Sequence, residues 1–359
     1  MVFTLYVAGP RYSGKTALCL SLYSMLRDAG VSVGYLKPVG QRARVGGPPV
    51  DPDVAAMTEA FDLREEAVDL CPVVLGTHYL NLFSDGTEAV KKKIKSAYMK
   101  AEKDRDVVIV EASQNPDLLA SVGLDVASLA AEFGAKVIYS VRGEGDRSAD
   151  RAVYYRDFLA TKGVGLLGAV LNFVPFQQVE RMRGVVSETL ARRDVRVIGV
   201  VPDHRELTLP TVRDVATSLD AEVLAGKAGL DRMVNGYLVG AMAPEAAMSW
   251  LRRSVDKVFI TGGDRADLVL MALETAPSAV ILTGNIYPSA QVTASAERRG
   301  VPLLLVGEDT YTTVTKLEPL DGTSPITISA AKVELTRNLV GRYIDWAEAL
   351  RGYVDLKKA

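Results

Sequence analysis

Residues 9–20 read GPRYSGKTALCL, and the reading of this stretch decides the fold. It fits G-x-x-x-x-G-K-[ST], a loop whose backbone N–H groups cradle phosphates. The apolar run Phe3 to Ala8 precedes it, and a helical pattern from about Lys15 to Ala29 follows, which Gly30 can end. A glycine turn between a strand and a helix N-terminus aims fixed donors and positive partial charge at one point. Lys15 then sits beside the β- and γ-phosphates of ATP and the Thr16 hydroxyl faces Mg²⁺, with Gly9, Ser13, Gly14 and Ala17 in the cradle. The competing reading is a tight strand-to-helix turn with a solvent-facing lysine.

Outward from the loop, short β-branched runs alternate with amphipathic stretches, as βαβ units do. Strands are expected at Val31 to Leu36, Val107 to Val110, Lys136 to Val141, Leu166 to Leu171 and Val195 to Val201. Each is apolar enough to be covered on both faces, which points to a parallel sheet. Helical patterns at Glu88 to Glu102, Val126 to Phe133, Ala149 to Ala160 and Val179 to Ala191 fill the gaps. The expectation is a doubly wound, mostly parallel α/β domain of the P-loop NTPase type over residues 1–205, with 206–230 as an ordered connection that carries one helix.

A second alternation begins at Val234, with strands Gly236 to Gly240, Lys257 to Thr261, Ala279 to Leu282 and Pro302 to Val306. Helices Pro244 to Arg253, Arg265 to Leu273 and Ala290 to Arg299 lie between them, so a smaller α/β domain is expected over 231–320. Apolar residues from Val333 to Val354 recur at helical spacing, which predicts one long amphipathic helix from Ser329 to Val354 in the tail 321–359. Its apolar stripe must cover either another domain or a second subunit.

Composition narrows the function classes. The chain has 359 residues, 48% of them apolar, enough for two domains with buried cores. A net charge of −2 gives no basic footprint for nucleic acid. The two cysteines, Cys19 and Cys71, stand in unrelated contexts and suggest neither a disulfide framework nor a thiolate metal site. No apolar run reaches the ~18 residues that span a bilayer. Met1 leads directly into a strand with no basic leader, so a cytoplasmic location and no membrane partner are expected.

Magnesium needs oxygen ligands, with one or two carboxylates helping the nucleotide and water. Glu111 directly follows the buried strand DVVIV, at the carboxyl edge where ligands of such folds collect. Asp53 opens the helical stretch DVAAM, where it serves as N-cap or as metal ligand, and Asp51 competes for the same role.

GPRYSGKT, GYLKPVG at the second strand, VIVE at the third and GAVLN near the end resemble dethiobiotin synthetase and its relatives in cobyrinic acid a,c-diamide synthesis. The resemblance covers roughly residues 1–205. It implies that Lys37 contacts a substrate, that Thr16, Asp53 and Glu111 bind Mg²⁺, and that Asn172 reads the adenine, with Pro202 beside it. Where that family has a glycine-rich run after the glutamate, this chain reads EASQNPD, which implies a different substrate pocket.

ITGGDRADLVLMALE, AVILTGNIYPSAQV and GVPLLLVGEDTYTTV look like the DRTGG domain, a small ligand-binding or regulatory module, with Ala266 where threonine is usual. The pair of domains resembles the N-terminal region of long phosphate acetyltransferases. The sequence ends at Ala359 without the transferase domain of those enzymes, so no acetyl transfer by this chain itself is expected.

The second domain presents Gly262, Gly263, Asp264 and Arg265 after one expected strand, Thr283, Gly284 and Asn285 after the next, and Asp309 and Thr310 after the third. Three such loops at one sheet edge form a crevice for an unknown small ligand, unless Asp264 merely caps a helix. His78 and His204 lack metal-ligand spacing, and His204, after Pro202, lies nearer the expected base site.

Two readings follow. One is a Mg-ATP-dependent regulator or accessory ATPase, to which a separate phosphate acetyltransferase partner would fit. The other is a ligase in which a small carboxylate or carbamate attacks the γ-phosphate, with Lys15 and Lys37 assisting. A homodimer is expected in either case.

Overall fold

The computed structural model describes residues 2–41, 51–76, 78–204, 209–240, 248, 250–253, 256–317 and 330–356. The chain divides into two compact units, Met1–His204 with Ile328–Ala359, and Arg205–Thr327.

In the first unit the strands are β1 (Phe3–Ala8), β2 (Val33–Leu36), β3 (Val39–Gln41), β4 (Val73–Leu75), β5 (Val107–Glu111), β6 (Lys136–Arg142), β7 (Leu166–Val174) and β8 (Val197–Pro202). A six-stranded sheet has the order β2-β5-β1-β6-β7-β8, with every adjacent pair parallel. The continuous apolar runs have this cause: Leu5, Val7, Ile109, Ile138 and Val170 are fully buried, each contributing roughly 1.5–3 kcal/mol. A two-stranded parallel ribbon, β3 with β4, was not foreseen because each strand has only three residues.

Helix α1 (Lys15–Asp28) leaves the loop after β1, with Gly14 at its N-cap in the left-handed region (φ 83°). Its first turn has neither a side-chain cap nor an acid, so its N–H groups remain for an anion. Helix α2 (Pro52–Phe61) contrasts with it: Asp51 accepts from the Asp53 and Val54 amides. The N-cap is therefore Asp51, and Asp53 lies one step inside the first turn. The expected helix Val179–Ala191 forms with a π turn at Met182–Val186 in its middle.

The tail corrects the sequence reading. One unbroken helix from Ser329 to Val354 was expected, of which 329 lies outside the described residues. Instead, helix Ala330–Gly341 packs on α1, and a short helix, Trp346–Ala349, follows. The break is made by Ile344, which forms an antiparallel bridge to Gly199 on the edge strand β8, so its backbone cannot stay helical. Arg337 pairs with Asp28, and the buried Trp346 indole donates to Ser21 Oγ of α1 at 3.3 Å. The apolar stripe thus covers the phosphate-loop helix of its own unit.

The second unit has strands β9 (Glu222–Ala225), β10 (Tyr237–Val239), β11 (Val258–Gly262), β12 (Ala279–Thr283) and β13 (Leu303–Leu305) in the order β10-β11-β12-β13-β9. The three ladders among β10, β11, β12 and β13 are parallel, and β9 runs antiparallel to β13. Much of 206–230, expected as an ordered connection with one helix, belongs to this unit: the helix is Val212–Leu219, closed by a Thr211–Asp214 capping box, and the edge strand β9 follows it unforeseen. The amphipathic run around Val212, Val215 and Leu219 buries against Ile260, Ile281 and Leu304. Residues 206–208, most of the expected helix Pro244–Arg253 and residues 321–329 lie outside the described residues.

Candidate functional site

Gly9 and Gly14 are required by close approach. A Cβ on Gly9 would collide with Ser140 O, and one on Gly14 with Asn172 Nδ2. The loop is braced from two strand ends: Ser140 Oγ and Asn172 Nδ2 both donate to Ser13 O, at 2.6 and 2.9 Å. Ser13 Oγ is buried without a hydrogen-bond partner among the described residues, a polar atom left over inside the cradle.

Lys15 is 8% exposed, and its ammonium donates to Pro10 O at 3.0 Å and to Gln114 O at 3.4 Å. Burial lowers its pKa to about 8, against the opposing pull of Glu111 and Asp53. Thr16 Oγ1 donates to Glu111 Oε1 at 2.7 Å, and Tyr35 OH donates to Glu111 Oε2 at 2.7 Å. Glu111 is fully buried; burial and then the nearby Asp53 push its pKa up to about 7.

Lys37 is held by two carboxylates. Its ammonium meets Asp51 Oδ1 at 2.8 Å and also pairs with Asp53. Burial disfavours that charge, but Asp53, Glu111 and Asp51 outweigh it and hold the lysine protonated. The same balance leaves Asp53 below the usual carboxylate range, because the Lys37 charge exceeds the effect of burial.

The remaining expected residues fall as follows. Ala17 lies in the first turn of α1. Asn172 is 3% exposed and both ends of its amide are used within the protein, Nδ2 on Ser13 O and Oδ1 accepting from the Phe173 amide at 3.0 Å. Pro202 ends β8 in register with Val174. The segment after β5 closes on the phosphate loop, with Asn115 Oδ1 accepting from the Arg11 amide at 3.1 Å.

Sequence reasoning missed Tyr35, Ser140 and Asp51 as the partner of Lys37. Tyr35 was open to inference: it stands two residues before Lys37 on an extended stretch, and so on the same face. Phe173 was also missed. It has φ 54°, unusual for a bulky residue, and its ring lies 4.8 Å beneath the Arg142 guanidinium, which donates to Tyr12 O.

In the second unit the ladders bring the expected loops to one sheet edge. Gly263 N donates to Thr283 O at 3.3 Å, Gly284 N to Glu308 O at 2.8 Å, and the Thr283 and Thr310 hydroxyls are 2.9 Å apart. The polar side chains have local partners: Arg265 pairs with Asp267, and Asp309 caps its own helix through the Tyr311 and Thr312 amides. Asp264 is exposed and is not the N-cap of helix Ala266–Glu274, where Arg265 stands without a capping side chain.

A glycine cradle between the first strand and first helix of a parallel sheet, with Lys15 and Thr16 opening that helix, defines a P-loop protein. The chain belongs to the AAA domain family, whose sequence pattern matches residues 4–211; residues 214–320 match the DRTGG domain. It is 28% identical over 357 residues to a phosphate acetyltransferase of Pseudomonas aeruginosa, covering 93% of this chain and 49% of that protein. The chain thus spans about half the length of the curated phosphate acetyltransferases it matches, as their N-terminal region does. An ATP-dependent dethiobiotin synthetase of Methanococcus vannielii is 25% identical over 197 residues, 54% of this chain and 90% of that one. The CBS and DRTGG domains of the regulatory region of Clostridium perfringens pyrophosphatase align at 20% identity over 34% of this chain and 50% of that one, with TM-score 0.28. No helix among the described residues is long and apolar enough to cross a membrane.

Proposed function

We propose that the chain binds a Mg-nucleoside triphosphate at Gly9 to Thr16 and acts as a nucleotide-dependent regulator or accessory ATPase. The observation that carries this reading is the buried Lys15 beside the Thr16–Glu111 hydrogen bond at the mouth of the loop. Lys15, the Gly14 to Ala17 amides and the uncapped end of α1 hold phosphate oxygens. The donor set fits magnesium, because Thr16, Glu111 and Asp53 offer only oxygen, and Ser13 Oγ is a spare buried hydroxyl. Bound Mg²⁺ supplies charge neutralisation of the β- and γ-phosphates.

Regulation is favoured over ligation by the state of Lys37. A lysine that polarises a carboxylate substrate needs uncompensated charge, and Asp51 and Asp53 neutralise this one. The loop after Glu111 folds on the phosphate loop through Gln114 and Asn115 instead of leaving a glycine-rich pocket. The DRTGG unit would bind the second ligand, at the edge formed by Gly263, Asp264, Arg265, Thr283, Gly284 and Asp309. Its effect on nucleotide affinity must be reciprocal. A homodimer and a phosphate acetyltransferase-type partner belong to the same proposal.

Calorimetry with Mg-ATP, together with phosphate release over a set of small carboxylates, tests the reading. Saturable ATP binding with slow, carboxylate-independent release supports it. Release stimulated many-fold by one carboxylate would make the chain a ligase.

A further inference from the structure

Nucleotide phosphates at Gly9 to Thr16 would put the base across the carboxyl ends of the neighbouring strands. The resemblance assigns base reading to Asn172, yet both ends of that amide are committed to Ser13 O and the Phe173 amide. Beyond it, Val174 pairs with Pro202, and the Asp203 amide donates to Val174 O at 2.8 Å, which brings His204 to the same edge.

His204 is the centre of an aromatic group. Phe176 meets its ring edge-on at 5.8 Å and 87°, and Tyr343 lies at 5.5 Å and 39°. Tyr343 arrives from the tail because the Ile344–Gly199 bridge pins that segment along β8. Phe176 is 62% exposed, a large apolar ring facing water. His204 Nε2 is buried without a hydrogen-bond partner among the described residues, and so is Oε1 of Gln178, on the same turn as Phe176. An open aromatic face beside unsatisfied ring and amide atoms is what a heterocyclic base completes, by stacking and by its polar edge.

We propose that Phe176, His204 and Tyr343 form the nucleobase platform of this protein, with His204 Nε2 as a polar contact to the base. The proposal rests on the nucleotide reading above and adds what holds the base. It makes the tail part of the nucleotide site.

Calorimetric titration of the full chain with Mg-ATP and with Mg-tripolyphosphate separates the base from the phosphates. His204→Ala and Phe176→Ala should each weaken ATP about tenfold and leave tripolyphosphate within about twofold of wild type. Unchanged tripolyphosphate affinity also certifies that the variants fold. Variants that keep wild-type ATP affinity, or that lose both ligands equally, overturn the platform. A wild type that holds ATP no better than tripolyphosphate overturns it too, while leaving the phosphate loop intact as a site. A wild type that binds neither removes the nucleotide reading itself, and the platform with it.

Discussion

Glu111 accepts from two hydroxyls at once, Thr16 Oγ1 and Tyr35 OH, each at 2.7 Å, while fully buried beneath the phosphate loop. Its charge is costly there, and burial raises its pKa from 4.5 to about 7. Between those values the folded protein holds a proton that the unfolded chain does not. The penalty is therefore full above pH about 7 and fades as pH falls toward 4.5. Glu111→Gln should raise the stability of the metal-free protein at pH 8 by about 1–3 kcal/mol in urea unfolding, and this gain should shrink on acidification. The same variant should lose the magnesium dependence of nucleotide affinity. A less stable variant, or a gain that grows toward low pH, would be inconsistent with a buried charge at this position.

Asp51 has three tasks: it caps α2, accepts from the Gln41 amide at 2.8 Å and pairs with Lys37. Without Asp51 the buried Lys37 keeps only Asp53 and α2 loses its cap, so Asp51→Ala should cost about 2–3 kcal/mol in chemical unfolding. Asp51→Asn keeps the cap and should recover part of that loss. Equal losses for the two variants would show that the carboxyl acts only through its charge.

Trp346 ties the tail to α1 through Ser21 and is 3% exposed. Trp346→Ala should destabilise the first unit by about 3–5 kcal/mol. Native Trp346 should emit at short wavelength, whereas Trp250, 55% exposed, should be quenched by iodide. Full quenching of both indoles would mean that the tail does not pack on α1.

Both cysteines are buried and free. Burial, and then Asp51, pushes the Cys71 thiol up to about 12. Stability from this neutral thiol is full below pH 9 and is lost as pH rises toward 12. Native protein at pH 8 should resist thiol-specific reagents for hours and react at both sites once unfolded. Rapid native labelling of Cys71 would contradict its burial under the Lys37–Asp51 pair.

Much of this was legible in the sequence, for physical reasons. The phosphate loop was readable because glycine is forced where a neighbour crowds the chain, as Ser140 O does at Gly9 and the Asn172 side chain does at Gly14. The parallel sheet was readable because both faces of β5 and β6 are buried, which demands unbroken apolar runs. The limits also have causes. Strand β9 was lost in an apparent connection because an antiparallel edge strand of four residues carries little periodicity. The tail keeps helical spacing through Ile344, so only the partner strand β8 shows where the helix must stop. For Lys37, the sequence places the charge but not its two counter-charges, since Asp51 lies 14 residues away. That pairing, more than the lysine itself, bears on what the site can take.

The central claim is that Gly9 to Thr16 holds a triphosphate, and titration of Mg-ATP into wild type and Lys15→Ala tests it most directly. The account predicts one saturable site per chain in wild type, weakened about 10- to 100-fold by loss of the Lys15 ammonium. Undiminished affinity in Lys15→Ala, or a wild type indifferent to both ATP and GTP, would contradict it.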